Sequence, residues 1–233
     1  MLQFFSLWRL STITMITLQD VEANPKVVTY LAKADEYMKA IGYTEHGKRH
    51  AMITAKISKD ILSKLKYPER QAELAAIAAY LHDVGNVINR TEHGQTSALI
   101  SERILSEMGM DYSEVTDIMS AIGNHEEELG DPISPVAAAI ILADKSDVHR
   151  SRVRSPSMIK FDIHDRVNYA VERSFVTVDA EAKKIAYVIK IDTSISQVME
   201  YFEIFLSRMI IAKRSANFLN CDFELLINDV KLL

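Results

Sequence analysis

The chain has 233 residues, 48% hydrophobic and 25% charged, with a formal net charge of −5. That length and balance fit one medium domain, or one domain with a small appendage, and supply enough apolar material for a sizeable core. The acidic balance argues against an extended nucleic-acid surface. The single cysteine, Cys221, excludes an internal disulfide and a cysteine-built zinc site, so a reducing, cytoplasmic compartment fits best.

The opening stretch, MLQFFSLWRLSTITMITL, is apolar but interrupted by Arg9 and several Ser and Thr. It is too short and too polar for a membrane span. It also lacks the basic start and small-residue cleavage site of a signal peptide. Residues 1–24 are therefore read as a leader, with Met15 an alternative start.

From Pro25 the pattern is helical. PKVVTYLAKADEYMKAIG opens with Pro at a first helical position and closes at Gly42. GKRHAMITAKISKDILSKL places Ala51, Ala55, Ile57, Ile61, Leu62 and Leu65 at roughly helical spacing. PERQAELAAIAAYLHD, HGQTSALISERILSEMG and DYSEVTDIMSAIGNH give the third to fifth helices, and SPVAAAIILADKSDVHR the sixth, with Ser134 as its N-cap. After Arg154 the composition changes. SFVTVDAEAKKIAYVIKID reads as two strands around a polar turn, SISQVMEYFEIFLSRMIIAKRSANFL as a long amphipathic helix and DFELLIND as a last strand. The expectation is a mainly α protein, with a helical domain over 25–158 and a small α+β unit, β-β-α-β, over 159–233.

Six polar residues stand out on the apolar helices: His50, His82, Asp83, His93, His125 and Asp144. Asp144 follows VAAAIILA, a run with no other reason to carry a carboxylate, and a buried, unpaired charge is costly. Nitrogen and oxygen ligands of this kind suit manganese, iron or nickel, with magnesium possible at a more oxygen-rich site. His50, His82, Asp83 and Asp144 could hold one divalent metal. His93 and His125 could hold a second, with Asp83 bridging. Two such ions would clamp the attacking and leaving oxygens of a phosphoryl displacement.

The order His…His-Asp…Asp, carried by GKRHAM, LHDVGN and ILADKSD, resembles the HD superfamily of metal-dependent phosphohydrolases. RTEHGQTSA and IGNHEE add His93 and His125, and are similar to the two-metal subset that includes the HD-GYP cyclic-dinucleotide phosphodiesterases and the HD-type diadenosine tetraphosphate hydrolases. The resemblance covers roughly 26–155. It implies an HD helical bundle, and hydrolysis of a phosphate ester or nucleotide by water that the metals activate. Two departures count. Asn86 stands where many relatives carry Lys, and NHEEELGDPIS has no Gly-Tyr-Pro, which lowers the expectation of a cyclic dinucleotide.

Around this set, Gly85 is read as letting the chain turn away without a side chain in the site. Asp147 shares a helix face with Asp144. It is expected either to orient a His ligand or to act with Asp83 in catalysis as an acid or base, the plainer reading being an ion pair with Arg150 or Arg152. Lys145, Arg150 and Arg154, with Arg152 between them, are expected to favour a small phosphorylated or nucleotide substrate; the plainer reading is cations at a helix end. His46 reads as a helix cap or substrate contact, His149 and His164 as surface residues. Glu126 to Glu128 read as a solvated turn, with Glu126 near enough to orient His125. Met199, Tyr201, Phe202 and Met209 read as core or a partner face, so a homodimer through the C-terminal unit is one option. Two other functions share the same ligands: a di-iron oxygenase, marked by strict iron dependence and oxygen consumption, and a nucleotide-sensing regulatory module, marked by tight binding without turnover.

Overall fold

The computed structural model describes residues 15–155, Ser157 and 162–233; residues 1–14 of the expected leader and the 158/159 boundary lie outside the described residues. A short helix, α1 (Leu18–Ala23), opens the described chain inside the segment read as leader. It starts on a capping box between Thr17 and Asp20. It is tied to the next layer, where the Leu18 amide donates to Glu73 at 2.6 Å and Val21 is buried. Asn24 ends α1 and caps α2 (Pro25–Ala40), accepting from the Lys26 and Val27 amides.

The helical layer continues through α3 (Lys48–Lys64), α4 (Glu69–Leu81), α5 (His93–Glu107), α6 (Tyr112–Gly123) and α7 (Pro135–Ser146). Short 3₁₀ turns cover Val84–Val87 and Arg150–Arg152. Ser134 caps α7 as expected, accepting from the Ala137 amide at 3.1 Å. The two central helices are α4, buried continuously from Leu74 to Leu81, and α7, buried from Val136 to Ser146. Helices apolar on all sides belong inside a protein, and their alanines let neighbours approach closely. The polar residues at their C-terminal ends are therefore carried into the interior rather than to the surface. His82 and Asp83 close α4, and Asp144 sits in the last turn of α7.

The C-terminal part holds α8 (Ile163–Ala170), β1 (Val171–Asp179), β2 (Lys184–Ile191), α9 (Val198–Phe218), β3 (Asp222–Ile227) and β4 (Val230–Lys231). The sheet order is β1-β2-β3-β4, with β2 and β3 parallel and the outer pairs antiparallel. The protein is thus mainly α with a small α+β unit. The β-β-α-β order is extended by α8 before it and β4 after it. One apolar core runs from Ile16 to Ile227. Buried Tyr187 of β2 donates its hydroxyl to the Leu142 carbonyl of α7 at 2.7 Å, and Ser174 donates to the Ser146 carbonyl at 2.6 Å. The sheet therefore buttresses the helix that carries Asp144. On α9, Tyr201 and Met209 join the core while Met199 is exposed. Among the described residues no helix is long and apolar enough to cross a membrane.

Candidate metal centre

The ends of α4, α5, α6 and α7 and the first turn of α3 converge on one buried point. His50 Nε2 and His82 Nε2 are 3.2 Å apart, as are His93 Nε2 and His125 Nε2. Asp144 Oδ1 lies 3.2 Å from His50 Nε2 and 3.6 Å from His82 Nε2. Asp83 stands between the two pairs. Its Oδ2 faces His82 and His50 at 3.5 and 3.7 Å, and its Oδ1 faces His93 at 3.2 Å. Three groups of potential ligand atoms result: His50–His82–Asp83, His82–His125–Asp144 and Asp83–His93–His125, each with all its atoms within 4.8 Å of one another. The structure thus brings together all six residues singled out in the sequence.

The other ring nitrogen of each histidine is turned outward to an oxygen. His50 Nδ1 meets Asp147 Oδ2 at 2.7 Å, His82 the Ala79 carbonyl at 2.7 Å, and His125 the Ile122 carbonyl at 2.6 Å. His93 Nδ1 lies 3.1 Å from both the Arg90 carbonyl and Glu126 Oε1. With Nδ1 donating outward, every Nε2 directs its lone pair inward. Two such nitrogens 3.2 Å apart repel unless a proton or a metal ion lies between them. Asp83 Oδ2 is buried and has no hydrogen-bond partner, the state a metal ligand shows when its cation is not counted. The donor set, four imidazoles and two carboxylates, fits a divalent cation of the borderline kind.

Residues 45–148 match the family described as HD domain. These residues form an HD domain. The chain is also 29% identical over 224 residues to Uncharacterized protein MJ1020 of Methanocaldococcus jannaschii, covering 85% of this chain and 86% of that one.

The charges of the HD domain point the same way. Burial alone would raise the Asp83 carboxyl, but His82 and the His93 contact hold it well below the usual carboxylate range. Burial also opposes ionisation of Asp144, and Lys145 with His50 and His82 outweighs it. Burial pushes the His125 imidazole well down, with His82 and His93 adding to the effect. His82 shows the opposite result: burial disfavours its charge, yet Asp83 and Asp144 raise it above its ordinary value. Two ionised carboxylates at one buried point draw positive charge to it, which is why His82 is raised despite its burial.

Asp147 ends α7 with its carboxylate wholly engaged. It holds His50 Nδ1 at 2.7 Å and Arg49 Nη2 at 2.9 Å, with Arg152 Nε at 3.8 Å. Burial opposes its charge, and Arg152, His50 and Arg49 more than offset that. Of the two roles expected, orienting a ligand is the one this geometry supports, and acid or base catalysis is not. Asp147→Asn should lower metal affinity about 10- to 100-fold through a misdirected His50, as measured by metal titration calorimetry; unchanged affinity would remove Asp147 from the centre. Glu126 serves His93, and accepts from the Gly94 amide at 2.6 Å, instead of orienting His125. Glu127 is not a solvated turn residue either. Its Oε1 lies 3.2 Å from Lys145 Nζ and 3.1 Å from Arg208 Nε.

A cavity of about 420 Å³ abuts the cluster, lined among others by His46, Arg90, Arg152 and Arg208. His46 caps no helix: Gly47 holds the N-cap position, and the His46 ring lies 5.7 Å from that of His50. Arg90 Nη1 reaches His93 Nε2 at 3.2 Å and Asp83 Oδ1 at 3.6 Å. The three cations expected to grip substrate each pair with a carboxylate. Lys145 is buried against Asp144 at 2.6 Å, Arg150 pairs with Glu172 at 3.4 Å, and Arg154 binds Asp35 and the Tyr43 and Thr44 carbonyls. None of them lines the cavity. Arg90 and Arg208 are the residues that sequence reasoning missed. Arg90 adjoined a motif in plain view, within RTEHGQTSA, whereas nothing in the amphipathic pattern of α9 marks Arg208.

Proposed function

We propose that the protein is a metal-dependent phosphohydrolase acting on a phosphate ester or nucleotide. The observation that carries the reading is the inward convergence of four imidazole Nε2 atoms on Asp83 and Asp144, with Asp83 Oδ2 buried and unpartnered. His50, His82, Asp83 and Asp144 would hold one divalent cation, and Asp83, His93 and His125 a second. Such cations supply Lewis-acid polarisation of a phosphoryl oxygen and acidify water.

The chain's own residues do the rest. Asp147, Glu126 and the Ala79 and Ile122 carbonyls fix the four imidazoles before any ligand arrives. Lys145 offsets the charge of Asp144. Arg90 stands at the border of the cluster and the cavity, where a guanidinium meets negative charge on a transferred group. Three arginines, Arg90, Arg152 and Arg208, line the cavity against two carboxylates, Asp162 and Asp165, a balance that favours an anionic substrate.

The test is elemental analysis of purified protein, followed by turnover of p-nitrophenyl phosphate and a nucleotide panel with manganese, then after chelation and metal return. The expected result is up to two metals per chain, with hydrolysis lost on chelation and restored on return. Iron at both places with consumption of oxygen would replace this reading by the oxygenase. Tight nucleotide binding without turnover in metal-replete protein would replace it by the regulatory module.

A further inference from the structure

The C-terminal unit supplies a wall of the cavity beside the HD cluster. Phe205 and Arg208, one turn apart on α9, both line it. The Arg208 guanidinium lies 4.6 Å above the Phe205 ring, and its Nε is 3.1 Å from Glu127 Oε1. These two contacts fix the plane of the fork. Among the described residues Glu127 is the only carboxylate within ion-pair distance of it, and Arg208 is part of the cavity lining. Arg152, buried in the same lining, adds charge but few donors. Its nitrogens already serve the Asp147 and Glu45 carbonyls at 2.7 to 3.2 Å.

Arg208 is also coupled to the cluster. Glu127 Oε1 is shared with Lys145 Nζ at 3.2 Å, and the same Nζ is 2.6 Å from Asp144 Oδ2. One cavity is therefore lined by two anion-attracting groups, Arg90, which reaches His93 and Asp83 of the cluster, and the fork of Arg208. A ligand with a single phosphate satisfies one of them. A ligand with two linked anionic groups satisfies both.

We infer that Arg208 is a specificity-determining residue that binds a second anionic group of the substrate, so that the C-terminal unit completes the site and selects a diphosphate or longer phosphate chain over a monophosphate. This rests on the phosphohydrolase reading only for the word substrate; the binding claim stands apart from turnover.

The experiment is calorimetric titration of the metal-loaded full chain with inorganic pyrophosphate and with inorganic phosphate. Wild-type protein should bind pyrophosphate at least tenfold more tightly than phosphate. Arg208→Gln should lose at least tenfold in pyrophosphate affinity while metals per chain stay at the wild-type number. Arg208→Lys, which keeps the charge but not the fork, should fall between the two and guards against a fold defect in the first variant, as read from melting curves. The inference fails if wild type binds pyrophosphate no better than phosphate, or if both variants bind it as wild type does. Turnover of phosphate esters by the wild type decides the hydrolase reading separately. Binding that depends on Arg208 without any turnover would leave a polyphosphate-binding site and no hydrolase.

Discussion

Asp83→Ala should strip the protein of metal and reduce phosphoester hydrolysis to background. Asp83 faces both histidine pairs, Oδ2 toward His50 and His82 and Oδ1 toward His93. Losing it removes a ligand from each place and the charge that draws a cation between them. The metal-free protein should melt close to wild type. The substitution relieves a buried, unpartnered oxygen and leaves the Asn86 amide, which donates to Oδ1 at 2.9 Å, without its acceptor; these effects oppose each other. Metal should then separate the two proteins. A ligand at 1,000 times its Kd stabilises a folded protein by about 4 kcal/mol, a gain that wild type should show and Asp83→Ala should not. Elemental analysis and paired melting curves with and without manganese check this. Two metals per chain in the variant would overturn the bridging role.

The cluster was legible because each ligand interrupts an apolar pattern. A histidine and an aspartate ending AAIAAYL, or an aspartate after VAAAIILA, have no place in a buried helix without a partner, and the partner had to be common to all of them. The bounds of the helices followed from the same apolar spacing with Pro and Ser at their starts. What periodicity cannot report is which elements meet. Arg154 looked like part of a free basic cluster, yet its acceptors are Asp35 and the carbonyls just beyond α2, more than 100 residues earlier in the chain. Glu127 looked solvated because its two cations come from α7 and α9. The helix α1 was hidden for a different reason. Its six residues are too few to show a period, and Thr17 with Asp20 was the only local signal of its start.

The same distinction decides the role of Gly85. Its place just after His82 and Asp83 suggested a turn that keeps side chains out of the metal site. The structure gives another cause. A Cβ at Gly85 would lie 2.4 Å from the His93 carbonyl oxygen, 2.5 Å from the Ser97 amide nitrogen and 2.7 Å from Ser97 Oγ. The crowding comes from the first turn of α5, and two of those three atoms are backbone that cannot swing aside. The Gly85 amide itself donates to Ser97 Oγ at 2.7 Å, so the 3₁₀ turn and α5 are locked at this approach. Gly85→Ala must push them apart, and overpacking of this kind costs about 1–3 kcal/mol. In a chain of this size each kcal/mol lowers the melting temperature by about 2–4 °C. The displacement also has a direction. Asp83 precedes the turn and His93 begins α5, so the 3.2 Å contact between Asp83 Oδ1 and His93 Nε2 opens, while His50 and Asp144 stay on helices the clash does not touch and His82 stays at the C-cap of α4. The variant should therefore melt several degrees lower and lose the metal that His93 and His125 help to hold before that of His50, His82, Asp83 and Asp144. Differential scanning calorimetry and metal titration measure both. A variant that melts with wild type and binds two metals at wild-type affinity would show that the close packing of this turn on α5 does not set the spacing of the centre.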